Sequence, residues 1–167
     1  MNSRILLVSL TAAAATVALA GNPHFIRADG SINADGGYVA NFKEAGLGAN
    51  QNISYVLSAG PGTRFTYQCY TRSHNTPQGE PNHVFPSTLQ TGGTFNSGKN
   101  GQITASLTLV PSPDDDCQGG GLKLCLVSVS YVGVVLRDTS TPTETQLPSL
   151  SRDFLDSQNR PTNCEPF

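Results

Sequence analysis

Apolar and hydroxyl residues alternate over Gln102–Val110: Ile103, Ala105, Leu107 and Leu109 fall on one side, Thr104, Ser106 and Thr108 on the other. A period of two is that of a β-strand with one buried and one wet face. A second run extends from Leu122 to Leu136, where Val127, Val129, Tyr131 and Val135 alternate against Ser128 and Ser130. Side by side in one sheet, these strands would turn their apolar faces the same way. Neither could bury the other, so a second sheet has to cover them. The pattern predicts a β-sandwich.

The rest of the chain reads in the same terms. Phe25–Ala28 and Ser31–Asn33, separated by Asp29-Gly30 and followed by Asp35-Gly36, predict an opening strand, a kink and a continuation. Gly37–Ala45 places Tyr38, Ala40 and Phe42 on one face and ends in the turn Gly46-Leu47-Gly48. Asn52–Ser58 points Ile53, Tyr55 and Leu57 inward. Thr63–Tyr70 points Phe65, Tyr67 and Cys69 inward and Arg64, Thr66 and Gln68 outward, and Ala59–Gly62 joins the two runs as a hairpin. Arg72–Asn82 predicts a long loop, and Val84–Gln90 a strand broken at Pro86, which suits a sheet edge. Thr94-Phe95 is strand-like, Asn96–Gly101 a turn, and Val110–Gly121 a second long loop. Beyond Asp138 the periodicity is lost, and Leu147, Leu150, Phe154 and Leu155 suggest a short helix within a tail. About seven short strands with turn signals between them predict an all-β, immunoglobulin-like or related Greek-key sandwich. The chain has no Trp, so the antibody signature is missing from that architecture.

The first twenty residues stand apart. Arg4, the apolar run Ile5–Leu19 and the small-residue site Ala18-Leu19-Ala20 read as a cleaved secretory signal at residues 1–20. A sandwich domain at 21–138 and an irregular tail at 139–167 packed on it would follow. Loss of Arg4 takes the formal charge from −2 to −3, which excludes a basic footprint for nucleic acid. No other segment has a transmembrane length, so no membrane insertion is expected after signal cleavage and the protein is expected to be secreted. Four cysteines, Cys69, Cys117, Cys125 and Cys164, are an even number in such a chain and predict disulfides, with three connectivities open. The C-x-x-C spacing of a zinc site is absent.

Candidate chemistry is sparse. His74 and His83 flank one loop and, with Glu80, offer a weak metal set, but no H-E-x-x-H aligns ligands on one face. Asp114, Asp115 and Asp116 are the densest acidic run and a weak Ca²⁺ candidate, yet they lack the spacing of a calcium loop. A solvated acidic loop explains them as well. Glu44 is the one acid in a predicted strand, near its end, and no carboxylate pair suits glycoside hydrolysis. No G-x-S-x-G marks a nucleophile. These absences favour a non-enzyme that needs no cofactor. For carbohydrate binding, Tyr70 and Phe85 flank the Arg72–Asn82 loop as possible stacking rings, with Asn75, Gln78 and Asn82 as hydrogen-bonding partners; packing of both rings at the core edge is the competing explanation. Asn52-Ile53-Ser54 is a glycosylation sequon, relevant only in a host that glycosylates secreted proteins.

The set Phe42-Lys-Glu-Ala-Gly-Leu-Gly48, Tyr67-Gln-Cys69, Ser97-Gly-Lys-Asn-Gly-Gln-Ile-Thr-Ala105 and Val127-Ser-Val-Ser-Tyr131 resembles a family of small secreted, uncharacterised β-sandwich proteins of bacteria and fungi. The resemblance covers about Phe25 to Asp138 and brings no activity with it. It implies a Cys69–Cys117 bridge between a strand and a glycine-rich loop, leaving Cys125–Cys164 as the second pair, both of whose cysteines are additions to the family pattern. The expectation is a non-catalytic extracellular structural or binding module with an unidentified polysaccharide, cell-wall or protein partner. The alternatives are a small metal-dependent enzyme, or an inhibitor or effector acting through residues 72–82.

Overall fold

The computed structural model describes residues 21–73, 75–114 and 116–164, so the expected signal segment Met1–Ala20, His74 and Asp115 lie outside the described residues. Among the described residues eleven strands, not about seven, form three antiparallel sheets, and no helix occurs. The first sheet orders β1 (His24–Ile32), β2 (Tyr38–Ala45) and β7 (Gln102–Leu109) as β1-β2-β7. The second contains β3 (Asn52–Ala59), β6 (Leu89–Asn96), β9 (Val135–Asp138) and β10 (Thr143–Gln146), ordered β10-β9-β3-β6. The third contains β4 (Arg64–Thr71), β5 (Pro77–Val84), β8 (Leu122–Tyr131) and β11 (Leu150–Asp153), ordered β11-β8-β4-β5.

Rings join the first sheet to each of the others. Phe42 of β2 meets Tyr55 of β3 at 4.7 Å between centroids, with Phe25 and Phe95 against the same pair. Tyr38 meets Tyr131 of β8 at 5.3 Å, and Tyr131 meets Phe65 of β4 at 5.4 Å. Both buried phenols have partners: Tyr131 donates to the carbonyl of Gly36 and Tyr38 to that of Pro148, each at 2.8 Å. Burial pushes the Tyr38 phenol up to about 12.

Several expectations are corrected. The two founding strands do not share a sheet: β7 pairs with β2 along its length, whereas β8 pairs with β4. Their apolar faces are covered for the reason expected, but by different partners. Ala59–Gly62 is a corner between sheets, not a hairpin, because β3 and β4 belong to different sheets. The Leu122–Leu136 run bends at the same place, between β8 and β9. At this corner the Gly60 amide donates to the Val132 carbonyl at 2.8 Å, and a Cβ on Gly60 would stand 3.3 Å from the carbonyl oxygens of Val132 and Gly133. At this distance any side chain would require the facing backbone to move by a few tenths of an ångström. Within β8 the alternation breaks at a bulge: Thr66 opposes Ser128 while Tyr67 opposes Leu126, so Val127 is skipped and Leu124 and Leu126 join Val129 and Tyr131 on the core face.

The expected kink at Asp29-Gly30 is absent, and both residues pair normally with β2. Gly30 is required there by contact, since a Cβ would fall 2.0 Å from the Tyr38 hydroxyl. Residues 77–82, expected as loop, belong to edge strand β5, exposed along its length except at Val84. Thr66 and Gln68, expected to face water, are buried, because β4 lies between β8 and β5. The Gln68 amide donates to the carbonyls of Gln78 and Gly79 at 2.8 and 2.9 Å and holds the irregular turn of β5 in place.

The expected tail helix is likewise strand. β10 forms a hairpin with β9, and β11 adds to the free edge of β8. Arg152 of β11 donates to the carbonyls of Ile32 and Asn33 at 3.2 and 2.9 Å, tying the third sheet to the first, and its guanidinium lies 5.0 Å from the Phe154 ring centre. Cys125 is bonded to Cys164 and Cys69 to Cys117, the two pairs that the resemblance implies. Disulfides form and persist in oxidising environments outside the cytosol. Among the described residues no helix is long and apolar enough to cross a membrane.

Candidate functional site

The residues singled out in the sequence do not converge. Tyr70 sits in β4, opposite Pro77 on one side and Lys123 on the other, and is only 5% exposed. Its ring offers nothing to a ligand, and burial raises its phenol. Phe85, in the connection after β5, is 63% exposed, so the two rings do not form a platform. Asn75, at positive φ, accepts a hydrogen bond from the Lys123 ammonium. His83 shares a 3.1 Å hydrogen bond with Thr66 across the β4–β5 pair. Asn82 lies opposite Tyr67 and lines a small recess with Glu80 and Asp116. Asp114 is exposed. Among the described residues no three His, Cys, Asp or Glu side chains are placed to hold a metal ion.

A different surface gathers polar groups: the outer face of the second sheet. The alternation that sends Ile53, Tyr55 and Leu57 inward sends Val56 and Ser58 outward. Register places Arg137 beside Val56 on one side and Gly92 on the other, and Ser58 between Val135 and Gln90. Because Gly92 has no side chain, Val56 stays uncovered toward β6. Glu144 opposes Arg137 and Gln146 opposes Val135 on β10. The result is an open groove of about 460 Å³ with Val56 and Val135 in its lining and Gln90, Gln146 and Thr139 around it. A volume of this size suits a small ligand or one segment of a polymer. The groove continues along the β9–β10 turn, where residues 137–144 line a second recess.

The charges in the groove are paired. Arg137 donates from Nε to Glu144 Oε2 at 3.0 Å, with Nη2 at 2.8 Å from the same oxygen. The turn beneath is closed by one carboxylate: Asp138, 1% exposed, accepts from the amides of Ser140 and Thr141 at 2.7 and 3.0 Å and from the Thr141 hydroxyl at 2.6 Å. Thr139 donates to the Ser54 carbonyl at 2.9 Å. Asn52 of the sequon lies on the same face, exposed, and accepts from the Asn96 amide at 2.9 Å. Nothing in this arrangement supplies a nucleophile with an adjacent base. It offers amides, hydroxyls and one ion pair along an apolar strip, the makings of a hydrogen-bonding cradle.

One polar cluster lies inside the fold. Glu44 is fully buried, and neither of its carboxyl oxygens has a hydrogen-bond partner; the hydroxyl of Tyr55 is buried and unpartnered too. Desolvation raises the Glu44 pKa most. The neighbouring Tyr55 hydroxyl and, more weakly, His24 lower it, while the Asp138 charge raises it. The same burial, with Glu44 and Asp138 nearby, raises the Tyr55 phenol.

No family model, curated protein or solved structure matches this chain. The groove was missed in the sequence because its residues come from β3, β6, β9 and β10 and meet only through pairing. The one available signal was the outward half of the Asn52–Ser58 alternation.

Proposed function

We propose that this protein is a secreted, non-catalytic, immunoglobulin-like β-sandwich that acts as an extracellular binding module for a polysaccharide such as a cell-wall polymer, with Met1–Ala20 removed on export. The observation that carries the reading is the groove on the outer face of the second sheet. Hydrogen-bonding side chains surround its apolar strip, and it is open along its length, as an extended chain of hydroxylated rings requires. The bridges Cys69–Cys117 and Cys125–Cys164 fit such a setting. Sugar hydroxyls are satisfied by side chains that both donate and accept, and the amides of Gln90 and Gln146 do both.

The test is retention of the purified protein on insoluble polysaccharides and on cell walls, beside a Gln90→Ala/Gln146→Ala variant whose thermal melting is measured in parallel. Retention lost in a variant that melts like the wild type supports the reading. Equal retention of both proteins removes the groove from it, and no retention on any matrix removes the reading altogether.

A further inference from the structure

The charged side chains lining the groove of about 460 Å³ are Arg137 and Glu144, and they face each other as a surface pair, 61% and 52% exposed. Both Nε and Nη2 of Arg137 lie against the same carboxylate oxygen of Glu144, at 3.0 and 2.8 Å. The other polar side chains around the groove, those of Ser58, Gln90, Thr139 and Gln146, are uncharged. A carboxylate or sulfate on a ligand would have to displace Glu144 from the guanidinium or lie beside an acid with no counterion. The formal charge, −2 for the full sequence and −3 once Met1–Ala20 is removed, gives it no long-range attraction either. Hydroxyl groups face no such penalty, since they accept from the guanidinium edge and donate to the outer carboxylate oxygen without breaking the pair.

Resting on the binding reading above, we propose that the groove selects neutral, hydroxyl-rich polymers and that Glu144 determines this specificity by keeping Arg137 from acidic ones. Discrimination of this kind works through an unfavourable contact with the wrong ligand as much as a favourable one with the right ligand. Removing the carboxylate charge leaves Arg137 as an uncompensated cation in a polar groove, which is a site for an anion.

The experiment measures retention of wild type, Glu144→Gln and Glu144→Gln/Arg137→Gln on cellulose, chitin and polygalacturonate at low and high ionic strength, with thermal melting as the check on folding. Wild type is expected to be held by a neutral matrix and to pass through polygalacturonate. The single variant should gain up to about fivefold in retention on polygalacturonate, the worth of one solvent-exposed charge contact, and lose the gain at high ionic strength. The double variant should lose the gain at any salt. Wild-type retention on polygalacturonate that equals or exceeds that on the neutral matrices overturns the specificity. So does a folded Glu144→Gln protein with no gain while wild type still binds a neutral polymer through Gln90 and Gln146. Either result leaves the binding reading standing. Wild type retained on nothing overturns both.

Discussion

Replacing Glu44 with Gln is expected to make the protein more stable at neutral and alkaline pH and to abolish the pH dependence expected of wild type. Glu44 and Tyr55 together bury three polar atoms without hydrogen-bond partners, both carboxyl oxygens and the phenol oxygen. A single unsatisfied buried group costs about 1–3 kcal/mol, and more when it is charged. Desolvation penalises the ionised carboxylate more than the neighbouring Tyr55 hydroxyl and His24 favour it, and the Asp138 charge adds to the penalty, so the pKa is raised. In the unfolded chain the same side chain ionises near its ordinary value of about 4.3. Below that pH both states carry the proton and its stabilisation is fully present. As pH rises toward the folded value, folding must take up a proton, and stability falls by up to about 1.4 kcal/mol per pH unit until the folded group itself ionises. Against a typical total of about 5–15 kcal/mol, this slope is readily measured.

Urea denaturation midpoints at intervals from pH 4 to 9, with m-values checked for constancy, provide the assay. Wild type should lose stability across the lower part of that range while Glu44→Gln stays flatter, and the variant should be the more stable protein at the alkaline end. Tyr55→Phe removes one orphaned hydroxyl and also the neighbour that lowers the Glu44 pKa. It should therefore carry the wild-type slope to higher pH. Parallel curves for wild type and Glu44→Gln, or a variant less stable than wild type at pH 8, would refute the argument, because either means that Glu44 is ionised and paired in the native protein.

Two further changes test the frame. Gly30→Ala places a methyl group where the Tyr38 hydroxyl stands, 2.0 Å away, and should cost about 1–3 kcal/mol by overpacking; a neutral urea midpoint would show that Tyr38 swings clear of β1. Replacing both Cys125 and Cys164 by Ala opens a 39-residue link and should cost about 2–5 kcal/mol in thermal melts under non-reducing conditions. A near-zero loss would mean that β11 and the hydrogen bond from the Leu126 amide to the Asn163 carbonyl, at 2.8 Å, hold the tail unaided.

What the sequence disclosed, and what it withheld, follows from where the information lies. Tyr38, Ala40 and Phe42 were legible as a buried row because the two-residue period is local, and so were Ile53, Tyr55 and Leu57. The same period continued to Glu44, which it places inside; reading it as an acid near a strand end gave more weight to residue type than to register. Residues 77–82 of β5 read as loop because an edge strand with no buried face writes no alternation, and Pro77, Gly79 and Pro81 discourage pairing with another chain rather than strand structure itself. The Ala59–Gly62 link has the length of a hairpin turn, and only the pairing of β3 and β4 with strands of different sheets makes it a corner. Partner choice of that kind is set by contacts far apart in sequence, and the candidate site depends on it entirely. Val56 and Arg137 lie opposite each other across the β3–β9 pair. Before the pairing is known, one is an apolar residue on the wrong face of a strand and the other a lone surface cation. Once paired, they are neighbours in one groove, and the Glu144 that the β9–β10 hairpin returns to Arg137 becomes the residue whose charge decides what that groove accepts.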